Sequence, residues 1–585
     1  MVVLGESFRN PQTKVCATRT GGLCATREDK TMPLRKFFVL ACVASFLIAL
    51  CPLPSPAQSS SPLSGTVSSD AEGPMEGVLV KAKPVGGTIT TTVVSDEHGH
   101  YAFPAGRLKP GDYKLTIRAT GFDAPAADVT IGAQPATADL KLSKVDTFAM
   151  ADQLVPAEWE MSVKSLGGCG GCHNLNVVLK STYNVEKWRA TLIRMRNYEP
   201  GASFSYPFML PNLSGSKPGD EDFAEYLASI NLSSKRNWDF ELKSFPRPKG
   251  KSTKVVITEY DLPRFDAEPH DAVMDADGMV WYSDFTLALI GRLNPRTGET
   301  KEWKLPEMRP GFAPGSLDLA IAPNGNPWIA RKFQAGVATL DKKTEKITSY
   351  SIPKEDINIY SRTTYLAVGP DGTVWISDTE DRMMYILNPT TGKMAGYPTF
   401  PGFKWDYESG RRGIGPAGEK EDHLSFGVAV NSKGIGYWVD SANRLLGEMD
   451  PATGKSKLYT IPTPNAGPAR VFITPQDQVW FSERNPSAQK IGMFDPKTGA
   501  FKEWDDRPVD PYGIVVDKSG RAWAGGTPTD FVTRLDPATG EKVRYLLPTV
   551  NASVQRADAN NFTNPPSLVV GETHGAKIAI VEPLE

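Results

Sequence analysis

The order of hydrophobic and polar residues divides most of the chain into three patterned segments. The first, residues 64–145, alternates apolar and polar positions in short runs separated by glycine and proline, most clearly at 78–82 and 113–117. A period of two is typical of β-strands, because successive side chains point to opposite faces of a sheet. The pattern predicts a β-sandwich that follows a Ser- and Pro-rich linker over residues 58–63.

The second segment, residues 150–235, has apolar positions at helical spacing. Residues 185–195 and 220–230 each form an amphipathic run, and the second run begins with three acidic residues. Acidic side chains favour the first turn of a helix because they interact with its positive end. We expect a small α-helical domain here.

The third segment, residues 250–585, is repetitive. Six copies of an apolar strand, a polar turn and a tryptophan-bearing strand lie mostly 42 to 47 residues apart, with one interval of 63 residues. The repeated tryptophans are Trp281, Trp328, Trp375, Trp438, Trp480 and Trp523. A period of about 45 residues with about four strands a repeat is typical of β-propeller blades. A degenerate copy at 567–583, closed by residues 255–258, brings the prediction to seven blades and the whole chain to a mostly β, multidomain protein.

The start of the chain has the pattern of a leader rather than of a folded domain. A basic stretch at 32–36, an apolar run of 14 residues over 37–50 and small residues ahead of position 58 are typical of a secretory signal peptide. We expect cleavage after Ala57, so that residues 1–57 are removed and the mature chain, without a transmembrane segment, is periplasmic or secreted. Cleavage would leave two of the six cysteines.

Those two cysteines belong to the motif Cys169-Gly170-Gly171-Cys172-His173. Two thiols on one short turn can add to the two vinyl groups of a haem, and a histidine beside the second thiol can bind the iron. A redox disulfide is usual in a βαβ context and a zinc site needs a second cysteine pair, and the sequence has neither. We therefore expect one covalent haem c, attached through Cys169 and Cys172, with His173 on the iron.

The sixth iron ligand is open between two methionines. Met195 lies seven residues after Trp188, an arrangement that resembles short c-type cytochrome domains fused to exported oxidoreductases. Met209 lies in a proline-framed loop, as in other class I cytochromes, and Met161 is a third candidate. Methionine would raise the reduction potential relative to a second histidine.

The repeat geometry places a further set of polar residues together. If the first strand of each blade runs down the channel and the second strand runs back, the start of the first strand and the end of the second lie on the same face of the propeller. That face would carry His270, Asp284, Arg331, Asp378, Asp440 and Glu483. A histidine, an arginine and carboxylates on a concave surface make a candidate active site with His270 as its catalytic residue. The long interval places an insertion, residues 403–423, at the same face.

Two stretches resemble known families. Gly65-Thr66-Val67, residues 96–101 and residues 110–113 resemble the carboxypeptidase regulatory-like (prealbumin-like) domain, which implies a sandwich that serves as an accessory module. From Ile257 onward the chain resembles the streptogramin (virginiamycin B) lyases.

The lyase resemblance rests on residues 268–273, which are similar to the family's Pro-His-Gly-Ile signature, and on 280–284, which are similar to its Trp-Phe-Thr-Glu signature. It implies a seven-bladed propeller and an elimination that opens a cyclic depsipeptide, using histidines and a Mg²⁺ ion held by carboxylates. The family has a second histidine in a neighbouring blade. Here the positions expected to match His270 are Leu317, Thr364, Phe426, Arg470 and Tyr512.

The favoured function is that of an exported monohaem c-type cytochrome, in which electron transfer is coupled to binding at the propeller mouth. The formal net charge of -2 gives no reason to expect nucleic acid, so the expected partners are a redox partner and a small-molecule, peptide or glycan ligand. The alternatives are a Mg²⁺-dependent lyase of the streptogramin type and a non-catalytic binding propeller.

Overall fold

The computed structural model describes residues 61–585 apart from short internal stretches. Those stretches are 164–165, 167–168, 172, 200–201, 203–205, 211–212, 234–236, 401–403, 407–410 and 415–422. The predicted signal peptide and Cys172 therefore lie outside the described residues. No helix in the described part of the chain is long and apolar enough to cross a membrane.

Ten strands form the β-sandwich near the start of the described chain. They are β1 (Leu63–Ser69), β2 (Gly73–Pro74), β3 (Leu79–Pro84), β4 (Ile89–Val94), β5 (His100–Phe103), β6 (Gly111–Arg118), β7 (Phe122–Asp123), β8 (Ala127–Ile131), β9 (Ala136–Thr137) and β10 (Leu140–Lys144). One layer has the order β2-β1-β10-β7, with β5 and β9 also on β1, and the other has the order β4-β3-β6-β8. In β6, Tyr113 and Leu115 are buried while Lys114 and Thr116 are exposed, as the alternation predicts.

The segment that follows is helical. Its helices are α1 (Thr147–Ala151), α2 (Pro156–Ser162), α3 (Asn176–Leu179), α4 (Val185–Arg196) and α5 (Asp220–Ile230). The side chain of Asn184 caps α4 by accepting a hydrogen bond from the Lys187 backbone N–H at 3.0 Å. Trp159, Trp188 and Leu227 belong to one buried core that these helices share. Short 3₁₀ turns lie at Cys169–Gly171, Gly250–Thr253, Lys332–Gln334 and Lys354–Asp356.

Strand β11 (Val255–Asp261) precedes six antiparallel four-stranded sheets among the described residues. The first three are β12 (Pro269–Met274), β13 (Val280–Asp284), β14 (Leu289–Leu293) and β15 (Thr300–Lys304); β16 (Leu319–Ile321), β17 (Pro327–Arg331), β18 (Gly336–Leu340) and β19 (Ile347–Ser351); and β20 (Thr363–Val368), β21 (Val374–Asp378), β22 (Met383–Asn388) and β23 (Lys393–Pro398). A two-stranded ribbon follows, β24 (Lys404–Asp406) and β25 (Arg411–Ile414), within the predicted insertion.

The next three sheets continue the same pattern. They are β26 (Ser425–Val430), β27 (Gly436–Asp440), β28 (Leu445–Asp450) and β29 (Lys455–Thr460); β30 (Pro468–Ile473), β31 (Val479–Glu483), β32 (Lys490–Asp495) and β33 (Ala500–Asp505); and β34 (Pro511–Val516), β35 (Ala522–Gly526), β36 (Phe531–Leu535) and β37 (Lys542–Leu546). The chain ends with β38 (Val554–Asn560), β39 (Ser567–Glu572) and β40 (Lys577–Pro583).

The sheets form a closed ring. The first strand of each sheet contacts the first strand of the next, and β38 contacts both β34 and β12. Strands β38, β39 and β40 pair in order with β11, and β11 pairs on its other edge with β4 of the sandwich, from Val256 opposite Val93 to Tyr260 opposite Ile89. The last sheet of the ring and one layer of the sandwich are thus a single eight-stranded sheet.

One of the six tryptophans is out of the expected register. Trp438 pairs with Val428. In the first sheet the equivalent pair is Tyr282 with Ala272, and not the tryptophan pair. The ring of Trp438 lies over Gly447, where an added Cβ would come within 2.2 Å of the indole. Trp438 lies two residues before the end of its strand at Asp440, whereas the other five tryptophans lie three residues before the end of theirs. Its ring therefore occupies the position that Tyr282 has in the first sheet.

Candidate functional site

The Cys-x-x-Cys-His motif begins on the 3₁₀ turn Cys169–Gly171, which packs against the start of α2. A Cβ added to Gly170 would lie 2.7 Å from the Cβ of Pro156, so this close approach needs glycine. Cys169 is partly exposed. A partly exposed thiol on a short turn is accessible from solvent.

One ring nitrogen of His173 lies against the neighbouring backbone. Its Nδ1 lies 3.0 Å from the backbone carbonyl oxygen of Asn174, so a protonated Nδ1 donates to that oxygen and leaves Nε2 for a metal. A hydrogen bond from the distal ring nitrogen to a carbonyl is the usual way of fixing the tautomer of a ligating histidine.

Exposed apolar side chains are frequent in the stretch of sequence that contains this turn. Seven of the thirteen exposed large hydrophobic side chains among the described residues lie between positions 148 and 213: Phe148, Met161, Val177, Tyr183, Met195, Met209 and Leu213. Large exposed apolar patches on a soluble protein usually mark a binding surface. This segment therefore carries more exposed apolar side chains than the rest of the described chain.

The backbone segments that carry two of the three candidate methionines are close in the fold. The segment around Met209 pairs with the residues directly after α4, through Leu210 N–H to the Asn197 carbonyl at 2.8 Å and Glu199 N–H to the Phe208 carbonyl at 3.0 Å. Met195 lies in the last turn of the same helix and is 41% exposed, against 47% for Met209. Neither side chain is used for core packing, so both remain open as ligands.

Trp188, in contrast, is buried in the helical core, but its indole Nε1–H has no hydrogen-bond partner among the described residues. A buried donor without a partner costs free energy, and such atoms commonly mark a missing ligand or water. The indole nitrogens of Trp159, Trp438 and Trp480 likewise lack partners among the described residues, so this feature does not distinguish the helical segment.

The helical segment is held against the ring of sheets. The backbone N–H of Ala157 in α2 donates to the Pro528 carbonyl at 3.0 Å, in the loop between β35 and β36. Across the ring, Arg362 donates to the buried carboxylate of Glu199 at 3.2 Å. Burial raises the pKa of Glu199, and Arg362 opposes that shift. Both contacts lie on the face of the ring where the second strands end.

His270 lies on the first strand of the ring and is almost completely buried. Its Nδ1 is 2.6 Å from Oδ1 of Asp271, and its ring packs against Phe285 and Tyr512 at centroid distances of 5.2 Å and 6.3 Å. Burial, followed by the charge of Arg470, lowers the pKa of His270 well below its usual value, so the imidazole is neutral at pH 7.

A layer of charges crosses the channel directly below. Arg470 donates to Asp271 at 2.6 Å and to Asp318 at 2.7 Å, and Arg556 bridges the same two carboxylates at 3.3 Å and 2.5 Å. Burial raises the pKa of Asp318 to about 6 despite both arginines. Two aspartates and two arginines thus neutralise each other inside the ring.

The strand register corrects one expected position. Val471 pairs with Phe481 as Ala272 pairs with Tyr282, so Ala469 and not Arg470 corresponds to His270. Arg470 corresponds to Asp271, the residue that it binds. The proline that begins both strands, rather than the charged side chain, marks the equivalent positions.

The other five residues of the predicted face end the second strands of five successive sheets and are buried. They are Asp284, Arg331, Asp378, Asp440 and Glu483. Asp284 accepts backbone N–H bonds from Thr286 and Leu287, both at 2.9 Å, and Arg331 donates to the Pro306 carbonyl at 2.9 Å. Burial lowers the pKa of Arg331 to about 10. These two side chains therefore bind the backbone of loops at this face of the ring.

The carboxylates of Asp440 and Asp378 also bind groups of the loops at this face. Asp440 Oδ2 is 2.5 Å from Nδ1 of His423, the histidine at the end of the insertion. Asp378 accepts the backbone N–H of Arg362 at 2.9 Å, while burial and the neighbouring Asp381 raise its pKa well above the usual value.

Glu483 is fully buried, and burial followed by the nearby Glu503 raises its pKa to about 8. Glu483 is therefore mainly protonated at pH 7. Among the residues that the structure describes, no three His, Cys, Asp or Glu side chains come together in a way that could hold a metal ion. The carboxylates of the predicted face thus lie in separate environments, and Asp284, Asp378 and Asp440 accept backbone hydrogen bonds from different loops.

Comparison with known proteins assigns one part of the chain to a family. Residues 62–143 match the carboxypeptidase regulatory-like domain. No curated protein sequence matches the chain significantly.

Several solved structures resemble the ring. A streptogramin B lyase is 20% identical with a TM-score of 0.48, covering 57% of this chain and 99% of its own. Virginiamycin B lyase from Staphylococcus aureus is 18% identical with a TM-score of 0.46, covering 56% and 98%. Hydrazine synthase of Kuenenia stuttgartiensis is 13% identical with a TM-score of 0.42, covering 55% and 96%. At these values the likenesses carry no statement about chemistry.

The carboxypeptidase regulatory-like domain also reaches the site indirectly, through a residue that sequence reasoning missed. Arg118 at the end of β6 donates to the buried carboxylate of Asp530 at 2.9 Å, in the same loop of the ring as Pro528. Asp530 accepts the backbone N–H groups of Asn551 and Ala552, each at 2.7 Å. The sequence signal for this contact is an arginine at the end of a strand with alternating apolar residues.

Proposed function

We propose that this chain is an exported c-type cytochrome whose helical segment carries one haem. The observation that carries the proposal is that the segment with the Cys-x-x-Cys-His spacing also contains seven of the thirteen exposed large apolar side chains among the described residues. A haem is a large apolar molecule, and covering such a surface with it is favourable at about 25 cal/mol per Å².

Each residue of the motif has a distinct role in this proposal. The thiols of Cys169 and Cys172 form thioethers to the vinyl carbons, and His173 binds iron through the Nε2 that its Nδ1 contact with Asn174 leaves available. Met195 or Met209 supplies the sixth ligand. Bound haem c exchanges one electron at a time between its ferric and ferrous states, at a potential that depends on the axial ligands and their surroundings.

We propose that the strands from β38 to β40 with β11 act as the seventh blade, so that the ring is a seven-bladed propeller. The contacts of β38 with both β34 and β12 support this count. The cytochrome segment, residues 150–235, then lies over one face of the propeller at residues 250–585, where it would pass electrons to or from a bound partner or ligand.

The geometry gives less support to elimination chemistry. A general base needs to reach the proton that it removes. His270 is 1% exposed, its Nδ1 faces Asp271, and its ring lies between Phe285 and Tyr512. We therefore propose electron transfer with a binding propeller and not a lyase.

The decisive experiment is a test for covalent haem. The full chain is expressed with its own leader in a bacterium that attaches haem outside the cytoplasm, then denatured and extracted with acidic acetone. Wild-type protein is expected to retain haem in the protein fraction, Cys169→Ala/Cys172→Ala to lose it, and His98→Ala, at an exposed sandwich turn, to retain it. Complete release of haem from denatured wild-type protein would refute the proposal.

A further inference from the structure

We propose that the ring binds two protons in a buried site that occurs twice, and that loss of either proton in alkaline solution loosens the loop beside it. The first copy, the Glu483 site, consists of Glu483, Glu503, Lys490 and Thr463. The second copy, the Glu572 site, consists of Glu572, Glu259, Lys577 and Thr549. Neither copy depends on haem attachment.

In the Glu483 site the strand register brings two acids and one lysine to the same face of a sheet. Glu483 lies opposite Lys490, and Glu503 lies opposite Gly492, two residues after Lys490. Alternate residues of a strand point to the same face, so the three charged side chains share it. Lys490 donates to the Thr463 hydroxyl at 2.7 Å, and that hydroxyl donates to Glu503 at 2.9 Å. The backbone N–H of Thr463 also donates to Glu503, at 3.1 Å, so this acid holds the loop.

The Glu572 site repeats this arrangement where the ring closes. Glu572 lies opposite Lys577, and Glu259 of β11 lies opposite Ala579, two residues after Lys577. Lys577 donates to the Thr549 hydroxyl at 2.9 Å, and that hydroxyl donates to Glu259 at 2.5 Å. The order of groups, from lysine through threonine to the second acid, is therefore the same in both copies.

The loop that carries the threonine is also duplicated. It has the sequence Pro-Thr-x-Asn-Ala at 462–466 and again at 548–552. Its asparagine has a φ of 52° in the first copy and 60° in the second, a left-handed conformation that asparagine adopts more readily than most residues. Each loop connects the last strand of one sheet to the first strand of the next, β29 to β30 and β37 to β38. The site thus recurs as a unit of loop, acids and lysine.

The acids that end β31 and β39 lack a compensating partner. Glu483 and Glu572 are both fully buried, and none of their carboxyl oxygens has a hydrogen-bond partner among the described residues. Each site has two acids and one lysine, so it carries an excess negative charge when both acids are ionised. A buried unpaired charge is costly, and binding a proton neutralises it.

The electrostatics agree with this geometry. Burial, followed by Glu503, raises the pKa of Glu483 to about 8, and burial, followed by Glu259, raises the pKa of Glu572 well above its usual value. Both acids are therefore mainly protonated at pH 7. Deprotonation would place two like charges in one buried site and draw water towards the loop that the second acid holds.

Other charged groups beside the Glu483 site have partners elsewhere. The adjacent Arg484 pairs with Asp510 at 3.6 Å, and Arg444 donates to the Pro462 carbonyl at 3.3 Å. Lys490 is thus the cation that the two acids of this site share.

The Glu572 site has further neighbours because it lies in the continuous sheet. Lys81 lies on the same face, two strands from β11, and Arg118 pairs with Asp530 at 2.9 Å. His574 is neutral at pH 7, because burial lowers its pKa to about 4. Lys81 opposes proton binding, but burial and the second acid favour it more strongly at Glu572.

The test for the protons is infrared difference spectroscopy of the full chain in the region of the carboxylic acid C=O stretch. Glu483→Gln and Glu572→Gln keep the shape of a protonated acid but cannot titrate. Each variant is expected to lack part of the acid absorption that wild type shows at pH 7. Glu345→Gln is the control, because Glu345 is 45% exposed and pairs with Lys301 at the surface. Unchanged acid absorption in either 483 or 572 variant would overturn the inference that both copies bind a proton.

The test for the loops is hydrogen–deuterium exchange at pH 6 and pH 9, corrected for the intrinsic pH dependence of exchange. In wild type, residues 463–467 and 549–553 are expected to lose protection at pH 9, while the turn at 431–434 keeps it. The double variant Glu483→Gln/Glu572→Gln should protect both loops equally at the two pH values. The wild-type comparison needs no variant to fold, and equal protection of both loops at pH 6 and pH 9 would contradict the proposed loosening.

Discussion

Replacing Arg470 by methionine tests the charge layer inside the channel. Arg470 is 4% exposed, binds Asp271 and Asp318 at 2.6 Å and 2.7 Å, and lies 4.7 Å above the ring of Tyr365. Methionine keeps much of the side-chain length but removes the charge. Two buried aspartates would then share Arg556 as their remaining cation in this layer.

The expected magnitude follows from the burial of this network. Removing one partner of a buried ion pair typically costs about 3–5 kcal/mol, because the opposite charge is left uncompensated. The loss should depend on pH. The pKa of Asp318 is about 6 in the native protein and rises further without Arg470, so Asp318 is protonated at pH 5 and the uncompensated charge largely disappears. The destabilisation should be larger at pH 8 than at pH 5.

The assay is equilibrium urea unfolding at pH 5 and pH 8, followed by the fluorescence of the buried propeller tryptophans. Arg507→Met is the control, because Arg507 is 63% exposed and pairs with Asp505 at the surface, where a pair contributes at most about 1 kcal/mol. Transition midpoints are compared because a multidomain chain need not unfold in two states. A loss below about 1 kcal/mol at pH 8, or equal losses at both pH values, would refute the reasoning.

Two further predictions concern the haem site and the rim. His173→Ala should lose the low-spin haem spectrum. Of Met195→Ala and Met209→Ala, only the variant that removes the sixth ligand should lose the far-red absorption band of methionine ligation. If neither variant loses this band, neither methionine is the sixth ligand. Glu483 has a pKa of about 8 when folded against 4.5 as a free side chain, so its contribution to stability falls as pH rises from about 5 to 8, by at most about 1.4 kcal/mol per pH unit. Glu483→Gln should flatten that part of the stability profile in urea unfolding, and an unchanged slope would contradict the assignment.

Features with a local signature could be predicted from the sequence. The alternation in β6, the acidic first turn of α5 and the repeated tryptophan strands each depend on residues within one or two elements, and the structure has strands and helices there. Trp438 shows the limit of this reasoning. The repeat is one residue shorter between that tryptophan and Asp440, and only the pairing with Val428 shows which residue fills the interior position.

The channel layer could not be predicted because its partners are distant in sequence. Arg470 is 199 residues from Asp271 and 152 residues from Asp318. The blades differ at this position, with Tyr365 in the third blade, so no repeated residue type marks it. Its charges cancel within the network and leave no trace in the net charge of the chain. Only the closure of the ring brings these side chains together.

The continuous sheet gives the carboxypeptidase regulatory-like domain a physical role in this chain. A propeller that closes with a strand from its own start leaves that strand, here β11, as an outer edge, and unpaired edges invite association with other chains. Pairing of β4 with β11 removes this edge. The same domain supplies Arg118, which binds Asp530 and through it the backbone of Asn551. The sandwich therefore both covers the seam of the ring and fixes two of its loops.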